Sequence, residues 1–395
     1  MFQAEEIRPD IYWVGALDWN ERSFHGYTTE EGITYNAYLI IDEKITLIDT
    51  VKAPFKHELL ERIASVIDPQ KIDIVVTNHV EMDHSGSLPA IVKACPRAQH
   101  YCSSRAASEL KSHYGDIASF KAVKTGDVIS LGKRSLTFVE TPMVHWPDNM
   151  VTYCPEEKIL FSNDAFGQHY ASSSRLDVDA DMCEVYKQAR KYYANIVQPY
   201  AAQAAAALKT VQGLDVQMIA PSHGIIWTEH IPDILSLYER WVSNKRVKKA
   251  AIIYDSMWNS TAKIGKAICE AFVSQEIEAR YFDVKENHES DIIAWALDAD
   301  YICVGSPTLN SRLMPNVAKF LTYFLGLSPK NEGRYAVAFG SYGWAPLGPK
   351  MVHEQLAGSG FNMLCDPIAH NWVPTTDTLS NIQKTLAERI ATTLS

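Results

Sequence analysis

The stretch Asn78-His79-Val80-Glu81-Met82-Asp83-His84-Ser85-Gly86-Ser87-Leu88-Pro89 sets the reading of the whole chain. It holds four residues of metal-ligating type, His79, Glu81, Asp83 and His84, directly after the apolar run Ile72-Asp73-Ile74-Val75-Val76. A short apolar run rich in β-branched residues reads as a buried strand, and side chains at its end project from a rigid edge. Imidazole and carboxylate without thiolate suit zinc, iron or manganese better than copper(I) or an iron–sulfur cluster. The plainer alternative is a polar loop with two incidental histidines. The density of ligand-type residues weighs against it.

Working outward, three more apolar runs each end in one His or Asp. Ser135–Val139 leads to Pro142-Met143-Val144-His145-Trp146-Pro147, Lys158–Asn163 delivers Asp164, and Val216–Ala220 delivers Pro221-Ser222-His223-Gly224. Singly each is weak. Together with the first cluster they give four His, two Asp and one Glu, enough donors for two metals with open positions. Around them Ile11–Gly15, Tyr38–Ile41 and Ile45–Thr50 read as strands, and Glu58–Ile63 and Ser87–Lys93 as helical, which implies a layered α/β sandwich.

Length and composition bound the rest. A chain of 395 residues is too long for one ordinary core, so two domains are expected, and 47% hydrophobic with 21% charged residues is a globular balance. No apolar stretch approaches the roughly 18 residues of a membrane span. The opening Phe2-Gln3-Ala4-Glu5-Glu6 lacks the basic start and apolar core of a secretory signal, so a cytoplasmic location is expected. Seven scattered cysteines include no C-x-x-C pair, which excludes a built-in rubredoxin or zinc ribbon and favours buried free thiols. A net charge of −10 argues against nucleic acid as the main partner. The basic cluster Lys245, Arg246, Lys248 and Lys249 reads as a solvated segment at the domain junction, with residues 1–248 before it and 249–395 after.

Beyond the junction, strand–helix alternation becomes regular. Ala250–Tyr254, Glu278–Phe282, Tyr301–Gly305, Tyr335–Phe339 and Phe361–Leu364 read as strands, and Thr261–Val273 as an amphipathic helix. That order fits a doubly wound sheet of flavodoxin type, whose ligand lies at the carboxyl ends of the strands. The loop Asp255-Ser256-Met257-Trp258-Asn259-Ser260-Thr261 opens a helix with hydroxyls and amides suited to one phosphate monoester, and no Walker motif is present. Ser306-Pro307-Thr308-Leu309-Asn310 and Gly340-Ser341-Tyr342-Gly343-Trp344 follow the third and fourth strands. Trp258, Tyr342 and Trp344 are placed to flank a flat ring whose edge backbone amides would bond.

The metal-type residues resemble the metallo-β-lactamase superfamily, whose usual signature is H-x-H-x-D-H followed by a distant His, Asp and His. The resemblance covers roughly residues 1–245 and departs at Glu81, which stands where the second His would be. An extra hard oxygen donor shifts preference toward iron. Fused to a flavodoxin-like domain, the pattern resembles the flavodiiron proteins (A-type flavoproteins), and in particular their two-domain members. This resemblance spans essentially the whole chain and includes Asp18-Trp19-Asn20, Phe24-His25-Gly26, Thr34–Tyr38, His145–Asp148 and Asp255–Trp258.

What the resemblance implies is specific. The fold would be an N-terminal metallo-β-lactamase-like αββα sandwich plus a C-terminal flavodoxin-like doubly wound parallel sheet. His79, Glu81 and His145 would ligate one iron, Asp83 and His223 the other, and Asp164 would bridge. His84 belongs to the motif, but in some members its counterpart is displaced by water. His25 and Tyr193 match residues lining the substrate pocket, although Tyr193 reads equally as a core residue of a helix. FMN would pass electrons to the diiron site for reduction of O2 to water, NO to N2O, or both. A separate rubredoxin is the family's usual donor, and some members use a reduced deazaflavin. A head-to-tail homodimer, or a dimer of dimers, would set one subunit's FMN against the other's irons. Two rival readings are a zinc-dependent hydrolase with a flavodoxin-like appendage and a non-enzymatic electron carrier with a vestigial metal site.

Overall fold

The computed structural model describes residues 2–328 and 331–394. The chain divides into two compact units, Met1–Tyr192 with Tyr200–Ser243, and Tyr193–Pro199 with Asn244–Ser395. Among the described residues, no helix is long and apolar enough to cross a membrane.

The first unit is built on two sheets. One runs, in spatial order, Glu5–Arg8, Ile11–Trp13, Tyr38–Ile40, Thr46–Ile48, Ile74–Thr77, Gln99–Ser103 and Phe120–Val123. The other runs Val128–Ser130, Ser135–Glu140, Met150–Cys154, Ile159–Asn163 and Met218–Pro221. Side chains of a strand alternate between faces, and the sequence uses both. Tyr38, Ile40, Ile48 and Val76 enter the core between the sheets, where they meet Phe138, Met150, Phe161 and Ala220. Their neighbours Leu39, Leu47 and Val75 point the other way, into a second core closed by Leu59, Ile63, Leu88, Ile91, Ala106 and Leu110 of the helices. The far side of the second sheet, at Val151, is covered by Leu208 and Tyr238 of the helices Ala201–Gln212 and Ile231–Val242. This is the expected αββα sandwich.

The strand order carries the donors to common ends. Ile159–Asn163 and Met218–Pro221 are adjacent and parallel, so Asp164 and His223 leave neighbouring strands at the same end. Ile74–Thr77 is an inner strand of its sheet, with parallel neighbours on both sides, and releases His79.

The second unit has a parallel sheet ordered Glu278–Asp283, Val247–Tyr254, Ala299–Gly305, Tyr335–Tyr342 and Asn362–Met363, with Ile368–Asn371 also paired to Tyr335–Tyr342. One face packs Ile252, Cys303, Val337 and Phe339 against Ile264, Ile268 and Phe272 of Ser260–Val273 and Leu386 and Ile390 of Thr376–Thr393. The fifth strand expected at Phe361–Leu364 is present: Asn362–Met363 pairs with Tyr335–Ala336, and Leu364 N donates to Ala336 O at 2.9 Å. The chain then passes Cys365-Asp366-Pro367, where proline cannot donate to the ladder, and pairing resumes at Ile368. Lys249, read as solvated, is buried in the strand Val247–Tyr254. Its Nζ lies 3.3 Å from Asp298 and 3.9 Å from the Trp295 ring centroid. The stretch Tyr193–Val197 is a π-helical turn, and within the second unit Asn195 donates to Ser290 O at 3.1 Å and accepts from Tyr323 at 3.0 Å.

Candidate functional site

The seven predicted donors fall into two buried groups, His79, Glu81, His145 and Asp164, and Asp83, His84 and His223, each with its donor atoms mutually close. Local structure explains the convergence. After the strand Ile74–Thr77 the chain bends at Asn78 and again at Glu81, then enters the short helix Met82–Ser85, in which Asp83 and His84 are buried and Met82 is exposed. Beneath this loop Asp49 accepts from Asn78 N at 2.7 Å and Asn78 Nδ2 at 2.9 Å.

Asp164 lies between the groups. Its Oδ2 is 3.6 Å from His79 Nε2 and 3.4 Å from His145 Nε2, whereas its Oδ1 is 3.0 Å from His84 Nε2 and 3.6 Å from His223 Nε2. Glu81 Oε2 is 3.2 Å from His145 Nε2, and Asp83 Oδ2 is 3.1 Å from His223 Nε2.

Two imidazoles are oriented from behind. His79 Nδ1 donates to Asp148 Oδ2 at 2.9 Å, and His223 Nδ1 donates to the carbonyl of Thr34 at 2.6 Å, leaving each Nε2 toward the group centre. A second hydrogen-bonding partner of this kind fixes tautomer and ring orientation of a metal ligand. The Thr34–Tyr38 stretch also anchors the His223 loop, because Asn36 Nδ2 and Tyr38 OH both donate to Pro221 O. His84 has no such anchor: neither ring nitrogen makes a hydrogen bond.

The electrostatics call for positive charge at the centre. Burial pushes the Glu81 carboxyl up, but His145, His25 and His79 outweigh it and hold it far below the usual carboxylate range. Asp164 behaves alike under His84 and His145, and Asp83 under His84 and His223. His84, opposed by burial, is nevertheless pushed up to about 9 by Asp83 and Asp164. Both oxygens of Asp83 and of Asp164 are buried without a hydrogen bond. Orphaned oxygens facing ring nitrogens, all N/O donors, fit hard or borderline cations.

His25 occupies a two-residue turn, with φ of 51°, between Ser23–Phe24 and Tyr27–Thr28. Its Nε2 lies 2.7 Å from Glu81 Oε1. The bond to Glu81 raises its pKa against the effect of burial. Tyr193 is fully buried in the π-helical turn and is grouped with the second unit. Sequence reading missed His169. It is fully buried, has two ring nitrogens without hydrogen bonds, and sits with its ring centroid 4.7 Å from that of His223. Burial and His223 hold it neutral. A lone histidine five residues past Asp164 carried no signal by which to find it.

In the second unit, three predicted loops are tied together. Thr261 Oγ1 lies 3.0 Å from Ser341 Oγ and accepts from Ser341 N at 3.2 Å, and Thr308 N donates to Ser341 O at 3.1 Å. A Cβ on Gly340 would lie 2.0 Å from Ser306 O, so this approach requires glycine. The helix Ser260–Val273 starts after Asn259, in a left-handed conformation, with no side-chain cap. Buried Ser256 Oγ beside it makes no hydrogen bond. Uncapped N–H groups and an orphan hydroxyl fit a phosphate. Pro307 is buried, whereas Met257, Trp258 (88% exposed) and Trp344 (85%) stand open, the disposition expected of walls for a planar ring. Leu309 turns back on Arg312 through paired backbone hydrogen bonds, with Asn310 at positive φ. Tyr342 and Gly343 are held by Asn371, whose side chain donates to both carbonyls, and Trp372 closes over Gly343. Neither Asn371 nor Trp372 was among the expected residues.

Comparison with known proteins agrees with both halves. Residues 33–224 match the ODP family beta lactamase model and residues 252–387 match flavodoxin. A nitric oxide reductase of Moorella thermoacetica is 44% identical over 99% of this chain and 100% of its own. The chain belongs to the flavodiiron protein family. The solved rubredoxin oxygen:oxidoreductase of the anaerobe Desulfovibrio gigas superposes with a TM-score of 0.95 at 41% identity, covering 100% of both chains. The flavodiiron protein of Giardia intestinalis gives 0.95 at 35%, covering 100% of this chain and 98% of its own. The cofactors of this flavodiiron protein are accordingly FMN and a non-haem diiron pair, and the two donor groups and the phosphate-ready loops fit them.

Proposed function

We propose that this flavodiiron protein reduces O2 to water, NO to N2O, or both, with electrons entering through FMN from a separate redox protein such as rubredoxin. The observation that carries this reading is Asp164, whose two oxygens face two different groups of donors. His79, Glu81 and His145 would hold one iron, Asp83 and His223 the other, and Asp164 would bridge; His84, without an anchoring partner, is the weakest ligand of the set. When bound, the iron pair would supply ferrous–ferric redox chemistry, which zinc lacks, and FMN would supply the electrons. The protein's part is placement. Asp148 and Thr34 O fix two imidazoles, buried carboxylates supply the compensating charge, and His25 holds the outer oxygen of Glu81. His25 would border the gas pocket.

Ser256, Met257, Trp258, Asn259, Ser260 and Thr261 would cradle the FMN phosphate and one ring face. Pro307, Thr308, Leu309 and Asn310, with Ser341, Tyr342, Gly343 and Trp344, would hold the ring edge and the other face. We assign residues 1–248 to the metal domain and 249–395 to the flavin domain, and place the protein in the cytoplasm, in keeping with its seven free thiols. A head-to-tail homodimer, or a dimer of dimers, would join FMN of one subunit to iron of the next. A two-fold interface makes that contact twice.

The names of the relatives support a reductase and lend nothing to the zinc-hydrolase alternative. His79→Ala is the test: anaerobic O2 and NO consumption with reduced rubredoxin is lost while FMN stays bound. Turnover at the wild-type rate would refute the site. A solution mass equal to the 44.3 kDa chain in active, iron-loaded protein would refute the dimer.

A further inference from the structure

The helix Ala201–Gln212 covers the second sheet with Ala204, Ala207, Leu208 and Val211, one side at helical spacing. Two of those four are alanine, and the contact is underfilled. A cavity of about 10 Å³ remains between this helix, Tyr238, Thr141 and Val151, and the loop residues Val144, Ala165 and Phe166. That is room for about one molecule no thicker than water. The wall it presents is apolar. The Tyr238 hydroxyl is turned to the Phe166 backbone N, from which it accepts at 2.9 Å. A water in such a space needs two to four polar partners, and dry apolar voids take up apolar guests instead.

Position gives the cavity its meaning. Val144 precedes His145, and Ala165 and Phe166 follow Asp164, so part of its lining comes from two ligand-bearing loops. We propose that this cavity is an apolar gas site beside the metal centre, which takes up O2 or NO from the protein side and is kept open by Ala204 and Ala207. The inference rests on the reading of the protein as an O2 or NO reductase. A diatomic gas has the girth and the lack of polarity that the space selects, whereas an anion has no charged partner in it and water has at most the Thr141 hydroxyl, fewer than the two to four partners it needs.

The experiment pairs occupancy with kinetics. Crystals of the oxidised holoenzyme pressurised with O2 show a diatomic peak in the cavity, and the peak disappears in Ala204→Leu and Ala207→Leu. Leucine suits a helix and fills the space. In the same variants kcat/KM for O2 and for NO falls severalfold, while kcat at gas saturation is unchanged. An empty cavity in pressurised wild-type crystals would overturn the proposal even if the variants fail to fold. So would a leucine variant with raised Tm and unaltered kcat/KM, since filling a mere packing defect stabilises without touching gas entry. A holoenzyme that consumes neither gas would instead remove the reductase reading, and O2 pressurisation would still decide whether the cavity takes apolar guests.

Discussion

Asp148 Oδ2 lies 2.9 Å from His79 Nδ1 and 2.8 Å from the backbone N of Val80, and Asp148 itself has no exposed surface. One carboxylate therefore sets both the ring of His79 and the path of the chain entering the ligand loop. Its backbone carbonyl also accepts from Ser103 Oγ at 2.7 Å, which ties the His145 loop to the other sheet. Asp148→Asn keeps the shape but offers only one acceptor oxygen, and loses the charge that favours His79 as a donor. Partners of this kind are worth about 10- to 100-fold in metal affinity. The expected outcome is a fold like wild type with iron lost to a chelator at correspondingly lower concentration. Chelator competition followed by iron analysis measures it, and an unchanged competition curve would count against the role.

Ser256 bears on the other cofactor. Its hydroxyl is buried at the start of the uncapped helix Ser260–Val273 and makes no hydrogen bond within the protein. A hydrogen bond to a charged group contributes about 1.5–3 kcal/mol, so Ser256→Ala should weaken FMN binding by about 10- to 100-fold. Riboflavin, which lacks the phosphate, should bind both proteins equally. Fluorescence titration of flavin-free protein distinguishes the two ligands, and an equal loss for riboflavin would reject a phosphate contact.

Much of this was legible in the sequence because strands announce themselves by apolar runs. Each donor lies at or just past such a run, so finding Ile74–Thr77, Ile159–Asn163 and Met218–Pro221 amounts to finding His79, Asp164 and His223. Partnerships across the fold were not legible. Asp148 is 69 residues from His79, and Thr34 is 189 from His223, so no local pattern couples them. His169 is invisible for the same reason, its meaning lying wholly in the rings around it. The fifth strand is legible at Phe361–Leu364, but its continuation at Ile368–Asn371 past Pro367 is not, because the apolar run upstream is the stronger signal. Lys249 misled because a charge run suggests solvent, and only the sheet reveals that Trp295 and Asp298 lie over it.

The cysteines allow a count. All seven are free thiols; Cys183 is exposed, Cys365 is half-buried and the other five are buried. Burial pushes Cys95, Cys102 and Cys154 up to about 12 and raises Cys303 well above the ordinary value. The thiolate is the reactive form, so these four are protected by both access and ionisation. Native protein at pH 8 should react rapidly at one thiol and slowly at a second, and denatured protein at all seven. Cys183→Ser should abolish the fast phase. Rapid reaction of three or more thiols in native protein would contradict the packing.

Asp49 gives a pH dependence whose sign can be worked out. It is fully buried, and burial pushes its carboxyl up to about 6 from 3.8, against the bonds from Asn78 and the fields of His84 and His79. Between those two values the native state holds a proton that the unfolded chain has released. The group's contribution to stability is therefore full below pH 3.8 and lost as pH rises toward 6. Two pH units correspond to at most about 3 kcal/mol. The other ionisable groups of the iron-free centre titrate too, so a single stability curve is not diagnostic. Asp49→Asn removes only this group, and its fixed penalty, one lost acceptor for Asn78, is independent of pH. Urea unfolding of iron-free wild type and variant across this range should show the wild type losing ground to Asp49→Asn as pH rises. A constant difference would mean that Asp49 is ionised throughout.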